Sequence, residues 1–471
     1  MLALILTGVP ATVWGHAFPD HSDPRVGRAL LASPPRVRLW FDGILEPAFS
    51  TITVVNANNQ QVDMGDGKVN PTDHTVLEIS LPTLPPGTYR ILWRVVDRDG
   101  HHTDGDISFS IGPGSYDPPR AASAPPTLPQ LLTRWLNFIG LSTLMGALAF
   151  HLLIARSIAP PHGGFEAVER PCRRLELISL VLVAVASGGE LILRTQMMSG
   201  EHLTQIGVTL TVVLRQTHFG AVWLVRIGLI GFLTLVWGLR RTTAPQSQRA
   251  LMLSLSATAL IALTTTLSGH AAHWGDLTMP VLIDWIHLVA VSVWTGGLFT
   301  LGFLFQRIVA PPGAEDPARG LATVGRPFSR MAAYCVFTLL AAGLFNSWLQ
   351  VASLQSIVTT SYGLTLLAKV FMVGLVLALA AVNRYYFLPL MRDPAAAYNR
   401  PLVKTIGRLG GMWLVGAGRD QAAGSRRRLR QFMRLEWILV IAALALAALL
   451  THLPPARHIL AHQHLEQHVL H

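Results

Sequence analysis

Two hydrophobic rhythms divide the chain. Between residues 16 and 113 the apolar positions come in short runs with a period of two, and from residue 131 onward they come in long stretches. In the first part, Arg36 to Phe41, Ser50 to Asn56, Thr75 to Leu81, Thr88 to Val96 and Asp106 to Ile111 are rich in β-branched and aromatic residues. Gly65-Asp66-Gly67, Pro85-Pro86-Gly87 and Asp99-Gly100 separate such runs with turn chemistry. In the fourth run Tyr89, Ile91, Trp93 and Val95 share one face. Short strands of this kind at this density predict an all-β sandwich, immunoglobulin-like or cupredoxin-like. Residues 114–130 are rich in Pro, Gly, Ala and Ser and read as a linker. Eight apolar stretches follow, at 131–154, 175–197, 218–239, 251–270, 279–304, 331–350, 363–385 and 435–452. Each is near the roughly 20 residues that a helix needs to cross a bilayer. The expectation is a helical membrane bundle over 131–452, with a histidine-rich tail at 453–471.

Composition agrees with that division. The chain has 471 residues, of which 51% are hydrophobic and 13% charged. This balance belongs to a multi-pass membrane protein with a soluble part. The net charge of +11 does not point to nucleic acid, because the basic residues fall in particular loops. Arg156, Arg170, Arg173 and Arg174 follow the first stretch, Arg240, Arg241 and Arg249 the third, and Arg307, Arg319, Arg326 and Arg330 the fifth. The seventh loop is the most basic and ends on Arg426-Arg427-Arg428 and Arg430. The fourth and sixth loops carry no Lys or Arg. The positive-inside rule then places the odd loops in the cytoplasm. The β domain and the C-terminus fall on the other side of a bacterial inner membrane.

Residues 1–15 read as a signal peptide, with Val13 and Gly15 at the positions that precede a cut. The stretch lacks a basic start, so an uncleaved anchor is the alternative. Cleavage makes His16 the mature N-terminus. Its α-amine and imidazole can then grip one metal ion, and Asp99-Gly100-His101 offers a carboxylate and a second imidazole. Nitrogen donors of this kind suit Cu(II). The plainer reading of Asp99-Gly100 is a turn. The only cysteines, Cys172 and Cys335, lie in or beside apolar stretches, which leaves the β domain without an internal disulfide.

Ionisable residues inside a bilayer are costly and need a partner or a role. Here His218, His270, His273, Asp284 and His287 gather in the outer half of the bundle, with Met197, Met198 and Met279 near the same rim. Asp284 and His287 are three apart and share a helix face. Together these residues are candidates for a copper path. A single histidine at a helix end is more often an interfacial residue. Glu190 and Arg226 fall at similar depth and read as a structural ion pair. In the tail, His458, His462, His464 and His468 have helical metal-binding spacing, but Ile459, Leu460 and Leu465 fit an amphipathic surface helix equally.

The first domain resembles the copper-binding protein CopC. The matching residues are His16-Ala17, Ser33-Pro34-Pro35, Val37-Arg38-Leu39-Trp40-Phe41, Gly87-Thr88-Tyr89 and Trp93-Arg94-Val95-Val96 leading to Asp99-Gly100-His101. The remainder resembles the membrane protein CopD, through Ser268-Gly269-His270-Ala271, Trp294-Thr295-Gly296-Gly297-Leu298, Phe328-Ser329-Arg330, Tyr362-Gly363-Leu364, Lys369 and Asn383-Arg384. The resemblance implies a Cu(II) site of His16, Asp99 and His101, with Cu(I) or Cu(II) in the membrane part. It departs from CopC proteins that hold Cu(I) on a methionine-rich loop, since after the cut the domain has only Met64. The expected function is copper capture outside and passage inward, with soluble copper chaperones as candidate partners. No ATP-binding motif is visible and no enzymatic role is expected. Two rivals stand beside this. His218, His270 and His287 can ligate a haem if two imidazoles face each other at matched depth. The protein can also sequester copper without moving it.

Overall fold

The alternation of apolar residues builds two facing sheets in the first hundred residues. The computed structural model describes residues 17–113, 120–122, 125–154, 164–202, 204–242, 247–309, 317–351, 353–389 and 421–456, with positions 401, 403 and 405 besides. His16, the tail histidines His458, His462, His464 and His468, and the side chain of His273 lie outside the described residues. The strands are β1 (Pro19–Asp23), β2 (Ala29–Leu30), β3 (Arg36–Phe41), β4 (Thr51–Asn56), β5 (Lys68–Val69), β6 (Val76–Ser80), β7 (Gly87–Val96), β8 (His102–Ile111) and β9 (Arg120–Ala122). One sheet runs β1-β3-β6-β5 and the other β2-β8-β7-β4, with β9 also on β8. Tyr89, Ile91, Trp93 and Val95 point into the core between them, as their spacing predicts, and pack with Leu39, Val54, Leu77 and Phe109.

Sequence placed the last main strand at Asp106, but β8 starts at His102. Thr103 to Gly105 have weak strand preference, yet they pair with Val95 to Trp93 of β7. Cross-strand pairing overrides the local preference. The β7–β8 hairpin is therefore long, and its tip is the five residues Asp97 to His101.

The helices are α1 (Leu128–Leu153), α2 (Gly164–Ser199), α3 (Gly207–Gln216), α4 (His218–Thr242), α5 (Gln248–Leu267), α6 (Met279–Val309), α7 (Pro317–Gln350), α8 (Leu354–Thr359), α9 (Ser361–Val382) and α10 (Gln421–Leu450). Eight of them are long and apolar enough to cross a membrane; α3 and α8 are the short exceptions. The chain is a multi-pass membrane protein with a β domain at one end of its bundle. α1 starts three residues inside the expected linker, because Pro129 is tolerated in a first turn and Gln130 Oε1 accepts from the Thr127 N–H at 2.7 Å. A short 3₁₀ turn, His270–Trp274, follows α5. α1 and α6 cross almost backbone to backbone. A Cβ on Gly146 would stand 2.0 Å from the Gly296 carbonyl carbon. This is why Trp294-Thr295-Gly296-Gly297 carries small residues where an apolar helix would otherwise take Leu.

The β domain does not hang free on its linker. Val96 buries against Leu191, Met198, Val213 and Phe219 of the bundle. Around that apolar patch Arg98 pairs with Asp276 at 3.4 Å, and Glu46 Oε1 accepts the His218 N–H at 2.9 Å. The segment read as a linker thus joins two domains that also touch: an apolar contact framed by charge pairs fixes the hairpin tip onto α2 and α4.

Candidate metal centre

The hairpin tip is built around its carboxylates. Asp97 Oδ1 accepts the His101 N–H at 3.0 Å, and the Asp97 carbonyl accepts the Gly100 N–H at 3.0 Å. Gly100 sits at φ +81°, a conformation that side chains other than glycine rarely adopt. A Cβ there would also lie 2.6 Å from Met198 Cε, so this position lets the tip settle on α2. The loop thus presents Asp97, Asp99 and His101, whose donor atoms all lie within 4.8 Å of one another.

The bundle adds the next residue. His101 Nδ1 lies 2.6 Å from Asp99 Oδ1, and His270 Nδ1 lies 2.9 Å from Asp99 Oδ2. One carboxylate therefore meets an imidazole from the hairpin and an imidazole from the 3₁₀ turn after α5. Nδ1 of both rings thus faces one carboxylate, so an ion shared with Asp99 would meet each imidazole at Nδ1, in place of these contacts. The two rings stand 6.1 Å apart, centre to centre. A third, His452, meets His101 edge-on at 5.7 Å, just past the end of α10.

Arg194 clamps the junction. Its guanidinium donates to the Asp99 carbonyl and, at 2.8 Å, to the Ser268 carbonyl two residues before His270. It also pairs with Glu190 at 3.2 Å, one helical turn back on α2. Glu190 is shared with Arg134 at 2.9 Å and Arg226 at 2.5 Å, all four being buried. The expected Glu190–Arg226 pair is present as part of this larger knot.

Burial pushes the His101 imidazole below its ordinary range, Arg194 and His270 add to this, and Asp99 opposes it. The ring is thus neutral near pH 7 and can offer a lone pair without first losing a proton. Burial, with Asp99 alongside, holds Asp97 well above the usual carboxylate range. His452 is pushed down to about 3, by burial first and then by His101.

The other candidates lie elsewhere. Asp284 Oδ1 accepts from Asn346 Nδ2 at 3.1 Å, with Lys369 nearby. His287 sits against Gly343 of α7, where a Cβ would come 3.3 Å from its ring. These two side chains lie along α6 against the neighbouring spans, whereas His270 turns to the hairpin. His218 Nε2 pairs with Asp276 at 2.9 Å. The three histidines proposed for haem are thus held by three different sets of neighbours.

Sequence reading passed over Arg134 and Arg194, and met His452 only as the histidine just before the tail. The first two had a visible signal: arginines inside otherwise apolar spans, with Arg194 four residues after Glu190. For His452 the histidine-rich neighbourhood was visible, but its meeting with His101 comes from where α10 ends.

Comparison with known proteins gives this geometry a context. The CopC domain matches residues 20–112, the N-terminal domain of copper resistance protein D-like proteins matches 125–279, and copper resistance protein D matches 322–450. The copper transport protein CutJ of Bacillus subtilis is 27% identical over 465 residues, covering 96% of this chain and 77% of its own. Protein YobA of Escherichia coli is 34% identical over 112 residues, covering 23% of this chain and 90% of its own. The crystal structure of CopC from Methylosinus trichosporium is 29% identical with a TM-score of 0.20, covering 22% of this chain and 98% of its own. The chain belongs to the CopC–CopD copper proteins, with a CopC domain followed by both parts of the copper resistance D membrane domain.

Proposed function

We propose that this protein captures Cu(II) at the junction between its two domains and passes copper through the bundle toward the cytoplasm. The observation that carries the reading is the Asp99 carboxylate, which meets His101 of the CopC domain and His270 of the CopD domain at once. Imidazole and carboxylate donors suit Cu(II). A site made by both domains removes the need for a dissociation step between capture and entry. His16, as a mature N-terminus, supplies an amine and a further imidazole to the same ion. The basic odd-numbered loops support an orientation with this end of the bundle outside the cytoplasm. A soluble copper carrier or free ions there would load it. Asp284 and His287 are the next donors along α6, and the five turns from Asp284 to Gly302 cover most of the remaining crossing. The CutJ relative is named a copper transport protein, which agrees with passage rather than storage.

Copper accumulation tests the reading. Cells producing the protein should accumulate more copper than cells lacking it, and Asp99→Ala should abolish the difference. Unchanged accumulation by a protein that still binds Cu(II) would reduce its role to sequestration.

A further inference from the structure

Beside the Asp99 cluster, on the other side of His101, lies a cavity of about 210 Å³ at the seam of the two domains. His101, His102, Gln130, Met197 and His452 are on its wall, with Thr127 and Gln196 as further polar residues. These residues come from four separate parts of the chain: β8 and its leading residue, α1 and its leading residue, α2, and the segment after α10. None of them was brought there by local sequence. Among the described residues the wall contains no carboxylate. That is a sharp change of chemistry from the neighbouring cluster, which is built on Asp97 and Asp99.

The donors are also oriented. His452 Nδ1 lies 3.0 Å from the Ala448 carbonyl oxygen, which can only accept. That contact makes Nδ1 the protonated nitrogen and assigns the lone pair of His452 to Nε2. Gln130 is fixed at both ends of its amide: Oε1 accepts from the Thr127 N–H, and Nε2 donates to Met197 Sδ at 3.4 Å. The thioether is therefore held at the wall rather than left to swing. His102 Nδ1 has no hydrogen-bond partner among the described residues.

We propose that Met197, His452 and His102 form a second copper site in this cavity, specific for Cu(I), immediately beside the Cu(II) site at Asp99. A thioether with imidazoles and no carboxylate is a soft, uncharged donor set, which favours Cu(I) over Cu(II). Charge points the same way. Arg134, Arg194 and Glu190 border the smaller cavity that shares His101, Met197 and His452 with this one. Next to two guanidiniums and one carboxylate the net charge is still positive, and a monovalent ion is disfavoured less than a divalent one. The seam thus offers one compartment to each oxidation state, with His101 as the wall between them. The inference rests on the proposed copper role but is separable from it.

The full-length protein in detergent tests it with two probes. Cu(II) is followed by its paramagnetic resonance spectrum, and Cu(I) by anaerobic competition with bathocuproine disulfonate. Met197→Leu keeps the side-chain volume while removing the sulfur, and His452→Gln keeps a polar group while removing the imidazole. Each should weaken Cu(I) retention by about tenfold or more and leave the Cu(II) spectrum unchanged. His270→Ala should do the reverse. Sulfur scattering in the Cu(I) X-ray absorption spectrum should vanish in Met197→Leu. Unchanged Cu(I) affinity and unchanged scattering in both variants overturn this second site while leaving the Cu(II) site standing. Loss of Cu(II) binding in neither Asp99→Ala nor His270→Ala would instead overturn the junction site.

Discussion

α2 carries two buried glutamates, and they show how similar chemistry serves different ends. Glu190 and Glu176 stand about 21 Å apart along the helix at the usual rise. Glu176 meets Arg240 at 2.8 Å and His151 at 3.1 Å, and is satisfied within the bundle. Glu190 meets three arginines. One carboxylate among three guanidiniums leaves an excess of positive charge at that end, and the hairpin tip with Asp99 docks onto it. Arg194 makes the link by reaching from Glu190 to the Asp99 and Ser268 carbonyls. The lesson is that a buried ion pair in a membrane helix does not mark a functional site by itself. What marks this one is the surplus charge and the foreign loop that it attracts.

The largest expected effect is at the ligands. His101→Ala should lower Cu(II) affinity of the full-length protein by orders of magnitude, because it removes a direct donor from the centre of the cluster. Titration followed by paramagnetic resonance checks this. An unchanged affinity would move the site away from the hairpin and dissolve the contrast between the two ends of α2. The two glutamates come next. Removing one partner of a buried charge pair costs about 3–5 kcal/mol, so Glu176→Gln and Glu190→Gln should both lower thermal stability. Only Glu190→Gln should also weaken Cu(II) binding, through release of Arg194 and the hairpin. Equal copper affinity in the two variants would make both glutamates purely structural.

How far could the sequence be read? The β7 face of Tyr89, Ile91, Trp93 and Val95 followed from alternation, and the eight spans from long apolar stretches, because each is a local pattern. Asp99 and His101 were visible as a pair in a turn. Their meeting with His270 was not, because it joins residues 171 positions apart through a docking that no periodicity encodes. The same holds for His452 and Met197. The contact between β domain and bundle was hidden for a related reason: residues 114–130 have linker composition, but composition says nothing of Val96 finding Leu191 and Phe219. A chain's local elements are written in its patterns, whereas this seam is written in the fit between surfaces.

A smaller effect sharpens the claim that both domains make the site. His270→Ala should weaken Cu(II) binding by about 10–100-fold and simplify the nitrogen hyperfine pattern, while the hairpin keeps its own donors. If His270→Ala binds Cu(II) as the unchanged protein does, the bundle contributes no ligand, and capture belongs to the CopC domain alone.

The smallest effect concerns the docking itself. Glu46 is buried at the seam, where its Oε1 accepts the His218 N–H, with Arg98 nearby. Burial raises its carboxyl from 4.5 to about 7, against the opposing pull of that N–H and of Arg98. A raised carboxyl means that the docked state holds a proton that the separated state gives up. Docking is therefore unaffected below the ordinary value, weakens as pH climbs from 4.5 toward 7, and stays at the weaker level above that. The shift sets an upper bound of roughly 3 kcal/mol, and relaxation of the seam brings the expected loss to about 1–2 kcal/mol. Glu46→Gln has no proton to lose. Between pH 5 and pH 8 its melting temperature should fall less than that of the unchanged protein, and the difference between the two curves isolates Glu46 from His218 and Asp276, which both proteins share. Parallel curves would show that Glu46 keeps its charge in the seam, with Arg98 and the His218 N–H stabilising it there, and that the docked hairpin gains nothing from a proton.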